Sequence, residues 1–283
     1  MSSTAPLRCR CRPAGRSSKW QRSFRNSSRP YRPVDPVSIG GYVVESVLGT
    51  GGAGTVYLAH DSGKRVALKV STSGAPPALV HPSIVPVYDH GTAPDGKHWL
   101  AMQYAAGGDA DRELRAGRMS PARAVHIIAG IARGLDFAHA QGVVHGDVKP
   151  SNFLLDGDDR ALLADFGSRP FAADGMVLTS AAYAAPEMLR GSEVDGRADV
   201  YSLGCSLFRL LTGKPPFFDA ESKDQVVHAH LYREPPRVTE LAPWLPVAMD
   251  DVIATAMAKN PEARYPSAGA LARAAAAVLQ VKG

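Results

Sequence analysis

Three stretches of the chain combine residue types and spacings suited to handling phosphate. The first is Leu48-Gly49-Thr50-Gly51-Gly52-Ala53-Gly54-Thr55-Val56. Glycines let backbone N–H groups approach phosphate oxygens with no Cβ in the way. A dinucleotide fold needs a helix directly after such glycines. Here Val56-Tyr57-Leu58-Ala59 reads as strand, so a flap between two antiparallel strands is expected, though a plain Gly-rich hairpin turn has the same pattern. The second stretch is Val66-Ala67-Leu68-Lys69, with Lys69 fifteen residues after Gly54. Alone, such a lysine is a surface charge; beside a glycine flap it is a candidate to hold nucleotide phosphates. The third is His145-Gly146-Asp147-Val148-Lys149-Pro150-Ser151-Asn152, with Asp165-Phe166-Gly167 starting thirteen residues after Asn152. Asp147 could accept or orient a hydroxyl proton, and Lys149 could neutralise charge on a transferred phosphoryl group. Asn152 and Asp165 suit Mg²⁺, which takes a carboxylate or two plus phosphate oxygens. Together these residues fit in-line phosphoryl transfer, which depends on positioning and charge neutralisation.

The elements that must position them change character along the chain. Strand-like runs lie at Tyr42–Leu48, Val56–Ala59, Arg65–Val70, Ile84–Asp89 and Trp99–Tyr104. After Gly107-Gly108 the pattern turns helical. Ser120-Pro121 reads as an N-cap followed by Pro at the first helical position, and apolar spacing of three and four runs to His139 before Gly142. Short strands are expected at Val143–Val144, Phe153–Leu155 and Leu162–Ala164, and helices at Val200–Leu211, Val247–Lys259 and Ser267–Leu279. A strand-rich front and a helix-rich back imply two lobes with a cleft between them.

The 283 residues, 45% hydrophobic, suffice for one such two-lobed domain. The net charge of +5 is unevenly spread. Residues 1–40 carry nine Lys/Arg and one acid, Asp35, so residues 41–283 sum to −3. Residues 1–38, rich in Arg, Ser and Pro with no apolar period, read as a disordered basic tail. An anionic partner, nucleic acid or a membrane surface, could bind there; a solvated tail or a misplaced start codon is the plainer reading. No aromatic-interleaved basic face occurs in the rest of the chain, so nucleic acid is not an expected partner. The longest apolar runs, such as Ala124–Ala132 and Ala274–Leu279, are too short to cross a bilayer, and no secretory signal is evident. Cys9, Cys11 and Cys205 form no disulfide pattern; Cys9 and Cys11 could be half a metal site, but free thiols in a reducing cytoplasm fit better.

The motif set in this order, closed by Ala185-Pro186-Glu187, resembles the bacterial, actinobacterial-type Hanks-type serine/threonine protein kinases from about Tyr42 onward. The resemblance implies an α+β, bilobal kinase-like fold, with an antiparallel β lobe at 42–104, a larger helical lobe at 107–280 and an ATP cleft between them. It implies ATP and Mg²⁺ or Mn²⁺, and a protein substrate bearing Ser or Thr. The whole glycine stretch, Leu48 through Gly54, with Val56, Ala67, Lys69, Met102, Gln103, Ala105 and Leu154, would bind the nucleotide. In that set Met102 would be the gatekeeper, Gln103-Tyr104-Ala105 the hinge receiving adenine, and Val56, Ala67 and Leu154 the sandwich around the ring. Asp147, Lys149 and Lys69 would be catalytic, and Asn152 and Asp165 would hold metal. His145 and Phe166 would be structural, Asp199 would hold the catalytic-loop backbone, and Arg264 would pair with Glu187. Lys149 resembles the Ser/Thr-specific pattern more than the tyrosine-specific one.

Two departures stand out. The family places a long helix, carrying a Glu that pairs with the strand Lys, before His81-Pro82. Here only Val70–Val80 remain, eleven residues with Gly74, Pro76-Pro77 and no acid. A helix with its connections does not fit there, so it is expected to be absent or reduced to a turn. Phe166 would then lose its packing partner, and a second copy or an activating protein could cover that face. Gly146 stands where the family commonly has an Arg that receives an activation-segment phosphate. The segment Ser168–Ala184 offers only Ser168, Thr179 and Ser180 as Ser/Thr hydroxyls, so activation is expected to be reduced or non-standard. Ser180 stands where the family has a Thr facing the catalytic Asp. The alternative to an active kinase is a pseudokinase, an ATP-binding or scaffolding module.

Overall fold

In the computed structural model, residues 37–51, 54–72, 74, 77–167 and 178–280 are described. The basic tail up to residue 36, with Cys9 and Cys11, lies outside them, as do Gly52, Ala53, Pro76, Ser168 and the side chain of Thr179.

The first lobe is one antiparallel sheet. Its strands are β1 (Ser38–Ile39), β2 (Tyr42–Gly51), β3 (Gly54–Asp61), β4 (Lys64–Ser71), β5 (Val87–Thr92) and β6 (His98–Gln103), in the order β1-β2-β3-β4-β6-β5. Ser38, counted with the tail by composition, already pairs with Val43. A strand, not a helix, follows the glycine stretch, and Thr50↔Thr55 and Gly51↔Gly54 close the β2–β3 hairpin. Gly54 is required there: its φ is +120°, and a Cβ would stand 2.2 Å from the Val70 carbonyl oxygen on the next strand.

Alternation along β4 decides what faces the second lobe. Val66 and Leu68 turn outward into a small core with Ala59, Trp99 and Ala101. Ala67 faces the other way, packing with Val85, Met102, Leu162 and Ala164. Lys69, two residues on, shares that inner face and is paired across the ladder with Leu100.

The strand expected from Ile84 starts at Val87. Pro86 cannot donate to a ladder, and Ile84 forms a bridge with Leu163 instead. None of the described residues between Ser71 and Ser83 is helical.

The second lobe holds the helices α1 (Ala110–Arg115), α2 (Pro121–His139), α3 (Leu178–Ala181), α4 (Pro186–Arg190), α5 (Gly196–Thr212), α6 (Lys223–Tyr232), α7 (Val238–Leu241), α8 (Ala248–Ala256) and α9 (Ala268–Gln280). The Ser120 side chain accepts from the Arg123 amide and Pro121 opens α2, as the capping signal predicts. Helices α2, α5, α8 and α9 pack around a core led by Ile127, Ile128, Ile131, Leu135, Tyr201 and Leu207. Val143–Val144, expected as a strand, is loop; among the described residues no strand pairs with it.

A hairpin of β7 (Phe153–Leu155) and β8 (Ala161–Leu163) lies at the junction of the lobes. Leu155 exchanges backbone hydrogen bonds with Gly107 and Gly108, at 3.0 and 2.9 Å. Leu163 does the same with Ser83 and Val85, at 2.9 and 3.0 Å. Both ends of the hairpin are therefore tied, which fixes the loops that leave it toward the cleft. No helix among the described residues is long and apolar enough to cross a membrane.

Candidate active site

The loop from His145 to Asn152 is held from behind by Asp199, a fully buried carboxylate in the first turn of α5. Its Oδ2 accepts from the His145 amide at 2.8 Å and its Oδ1 from the Gly146 amide at 2.8 Å. His139 Nε2 donates to the same carboxylate at 2.7 Å. A buried charge is tolerable when it is this fully hydrogen-bonded. Gly196 makes room for the arrangement, since a Cβ there would sit 2.6 Å from His139 Nδ1. Gly146 has φ +76°, a left-handed conformation that suits glycine and strains other residues.

His145 is buried and its tautomer is fixed by its partners. Nε2 lies 2.8 Å from the Ala164 carbonyl, which can only accept, and Nδ1 takes the Asp147 amide at 3.1 Å. The ring also meets Phe166 edge-on, with centroids 4.6 Å apart. One side chain thus couples the loop carrying Asp147 to the turn carrying Asp165.

Around Asp147 the polar groups converge. Lys149 Nζ bonds Asp147 Oδ2 at 2.7 Å and donates to the Ser180 hydroxyl at 3.0 Å. Asn152 Nδ2 donates to the Asp147 carbonyl at 2.8 Å. That carbonyl can only accept, so the Asn152 amide oxygen is the atom left to face a cation. Asp165, at φ +70°, is one of few described non-glycine residues in the left-handed region. Its Oδ1 bonds Lys69 Nζ at 2.8 Å, with the lysine side chain only 8% exposed. The buried cation is matched, but by Asp165 rather than by a helix-borne Glu. An amide oxygen and a carboxylate oxygen lining one cleft fit the small, hard Mg²⁺ ion if phosphate oxygens complete its shell. Among the described residues there is no cluster of three or more His, Cys, Asp or Glu for a metal.

The cleft is lined by Leu48, Gly49, Val56, Ala67, Met102 and Ala105 from the sheet and linker, and by Asn152, Leu154, Ala164 and Asp165 from below. Gln103 is not among its lining residues; it completes β6 opposite Val66, and its amide donates to Pro86. Thr50, Gly51 and Gly54 lie along the hairpin, outside the lining set. Tyr104, Asp109, Arg112 and Ser151 do line it. Asp109 also caps α1, accepting from the Arg112 amide at 2.8 Å, and burial raises its pKa. Its Asp-Ala-Asp start to a helix was the available signal. His139 gave none, lying sixty residues from Asp199. A second cavity adjoins behind Lys69, lined in part by Leu79, Val85, His90, Leu100 and Phe166.

Farther back, Glu187 and Arg264 form a bidentate pair at 2.6 and 2.7 Å, with the arginine side chain fully buried. Arg264 also donates to the carbonyls of Ala258, Arg197 and Lys259.

A sheet lobe over a helical lobe, with this polar cluster at their junction, defines the protein kinase class. The chain belongs to the protein kinase family: the model of the protein kinase domain matches residues 42–274. It is 48% identical over 268 residues to the serine/threonine-protein kinase PknJ of Mycobacterium tuberculosis, covering 84% of this chain and 45% of the relative. It is 41% identical over 261 residues to PknH of the same organism, covering 83% of this chain and 41% of that one. PknD, also a serine/threonine-protein kinase of that organism, is 41% identical over 265 residues, with 83% and 39% covered. The chain spans less than half the length of these relatives.

Proposed function

We propose that this domain transfers the γ-phosphoryl group of ATP to serine and threonine hydroxyls of protein substrates. The observation that carries the reading is that two polar groups, Lys69–Asp165 and Lys149–Asp147–Asn152, meet at the cleft that Asn152 and Asp165 both line. The adenine ring lies between Val56 and Ala67 on one side and Leu154 on the other, against Met102 and Ala105. Lys69 holds phosphate oxygens, Lys149 neutralises the group in transit, and Asp147 orients the attacking hydroxyl and accepts its proton. Asn152 and Asp165 hold Mg²⁺ or Mn²⁺, which supplies neutralisation of phosphate charge. The carboxylate of Asp109, at the cleft wall, is placed to accept hydrogen bonds from sugar hydroxyls. The serine/threonine assignment is supported by Lys149 and by the relatives' names. ATP chemistry and the buried free thiol of Cys205 suit a cytoplasmic setting.

Lys69→Met tests the reading. A charge-assisted hydrogen bond contributes about 1.5–3 kcal/mol, so radiolabel from [γ-³²P]ATP should fall roughly 10–100-fold. Label in the wild type should reside on phosphoserine and phosphothreonine. The Lys69–Asp165 pair favours a second reading, a pseudokinase that binds nucleotide or acts as a scaffold. Wild-type label no greater than that of Lys69→Met, with nucleotide binding retained, would select it.

The shortened segment between Lys69 and His81 is read as loss of the helix that carries the family's Glu. Either a second copy or an activating protein covers the cavity behind Lys69 in the working enzyme. Light scattering that gives a monomeric mass at full turnover would count against this. Gly146, with no side chain to receive a phosphate, supports activation that does not run through the usual arginine.

A further inference from the structure

Lys69 lines the cavity behind it and is not among the residues that line the cleft, whereas Asp165 lines both. The lysine side chain is only 8% exposed. An ammonium carries three donors. Among the described residues Nζ meets one acceptor, Asp165 Oδ1 at 2.8 Å. Two donors of a buried cation are therefore unspent at the cavity wall. A buried charge is costly unless it is paired and fully hydrogen-bonded.

The cavity shows what kind of group would spend them. It encloses about 110 Å³. Its apolar wall is built by Leu79, Ile84, Val85, Leu100, Met102 and Phe166. Among its lining residues Lys69 is the one Lys or Arg and Asp165 the one acid. Residues 70–80, which run past its mouth, contain no acid at all. Of the polar residues in the wall, Thr92 and His98 already satisfy each other, Oγ1 to Nδ1 at 3.3 Å. The matching occupant is apolar in body and carries one negative group that accepts hydrogen bonds. A phosphate, more highly charged and strongly hydrated, would lose its water against these walls. An apolar cavity of about 150 Å³ takes up benzene, so this smaller one suits a short-chain or single-ring acid.

We propose that the cavity behind Lys69 binds a small monocarboxylic acid, with the carboxylate on the unspent Lys69 donors and the hydrocarbon part against Leu79, Leu100 and Phe166. The acid fills the interior, whichever chain closes the mouth. Once it holds Lys69, Asp165 is released to face a cation in the cleft. Occupation of the cavity does not rest on the phosphotransfer reading; the effect on the cation rests on that reading's placement of metal at Asp165.

Calorimetric titration of the whole chain with pentanoate tests the site. Binding is expected with a Kd of about 1 mM or tighter, within reach of a ligand of so few heavy atoms. Pentanol, of similar size and uncharged, should bind about tenfold more weakly or worse, the effect of one lost charge-assisted hydrogen bond. Lys69→Met should lose the preference for acid over alcohol. Leu79→Trp, which fills the cavity from its half-buried wall, should bind neither. In the wild type, saturating pentanoate should tighten Mn²⁺ binding about fivefold or more. No pentanoate binding well above that Kd, equal affinity for acid and alcohol, or an acid preference that survives Lys69→Met would overturn the site. The wild-type comparison of acid with alcohol decides it even where a variant does not fold. Pentanoate binding with Mn²⁺ affinity unchanged would keep the site and remove the cation from Asp165, and with it that part of the phosphotransfer reading.

Discussion

Asp147→Asn is expected to lower phosphoryl transfer by roughly 10²–10⁴-fold, the contribution of a positioned proton acceptor. The substitution keeps shape and removes one negative charge. Asp147 Oδ2 now takes Lys149 at 2.7 Å and stands 3.4 Å from Asn152 Nδ2. An amide turned to satisfy Lys149 keeps an oxygen there but presents N–H where the substrate hydroxyl needs an acceptor. The loop itself is held by Asp199 through the amides of His145 and Gly146, so the fold should survive. Initial rates with Mg²⁺ and a protein acceptor, beside urea midpoints for both proteins, give the comparison. Transfer within about threefold of wild type would remove Asp147 from the mechanism, since general-base loss is worth far more.

The largest effect on stability is expected from Arg264→Ala. Breaking a buried ion pair by removing one member costs about 3–5 kcal/mol. Arg264 does more than match Glu187: it donates to three carbonyls that link the end of α8 to the start of α5. Arg264→Ala strands those carbonyls as well as a buried carboxylate. Glu187→Ala leaves the guanidinium with its carbonyl acceptors, so its cost should be smaller. The double variant should lose less than the sum of the two, because both single changes break the same pair. Urea unfolding with unchanged slopes checks all three; a cost for Arg264→Ala below about 1 kcal/mol would place the pair among interactions that contribute little.

The sequence reads well where local chemistry and function coincide. The Ser120-Pro121 start of α2 is legible because capping is local, and the alternation Val66-Ala67-Leu68-Lys69 fixes which face Lys69 joins. The residues proposed to handle phosphate are legible as types at set spacings. Gln103 is different: a hinge residue by resemblance, its side is settled by the β6 ladder, which the chain alone does not display. Helix α6, Lys-Asp-Gln-Val-Val-His-Ala-His-Leu-Tyr, has no apolar period, because it buries polar His230 along with Val226 and Ala229. The strand start expected at Ile84 fails because Ile84 and Val85 serve the junction with β8. His139, and Asp165 as partner of Lys69, are long-range pairings with no local signature.

The Lys69–Asp165 pair carries a thermodynamic corollary. Each residue is at present the other's counter-ion, at 2.8 Å. When Lys69 turns to phosphate oxygens, Asp165 is left with an unmatched charge and a greater appetite for a cation. When Asp165 turns to a cation, Lys69 is left equally hungry for an anion. Nucleotide and metal affinities are then linked, and by reciprocity each raises the other by the same factor. On the proposed reading either ligand alone must break the Lys69–Asp165 pair, so the domain would select the two together.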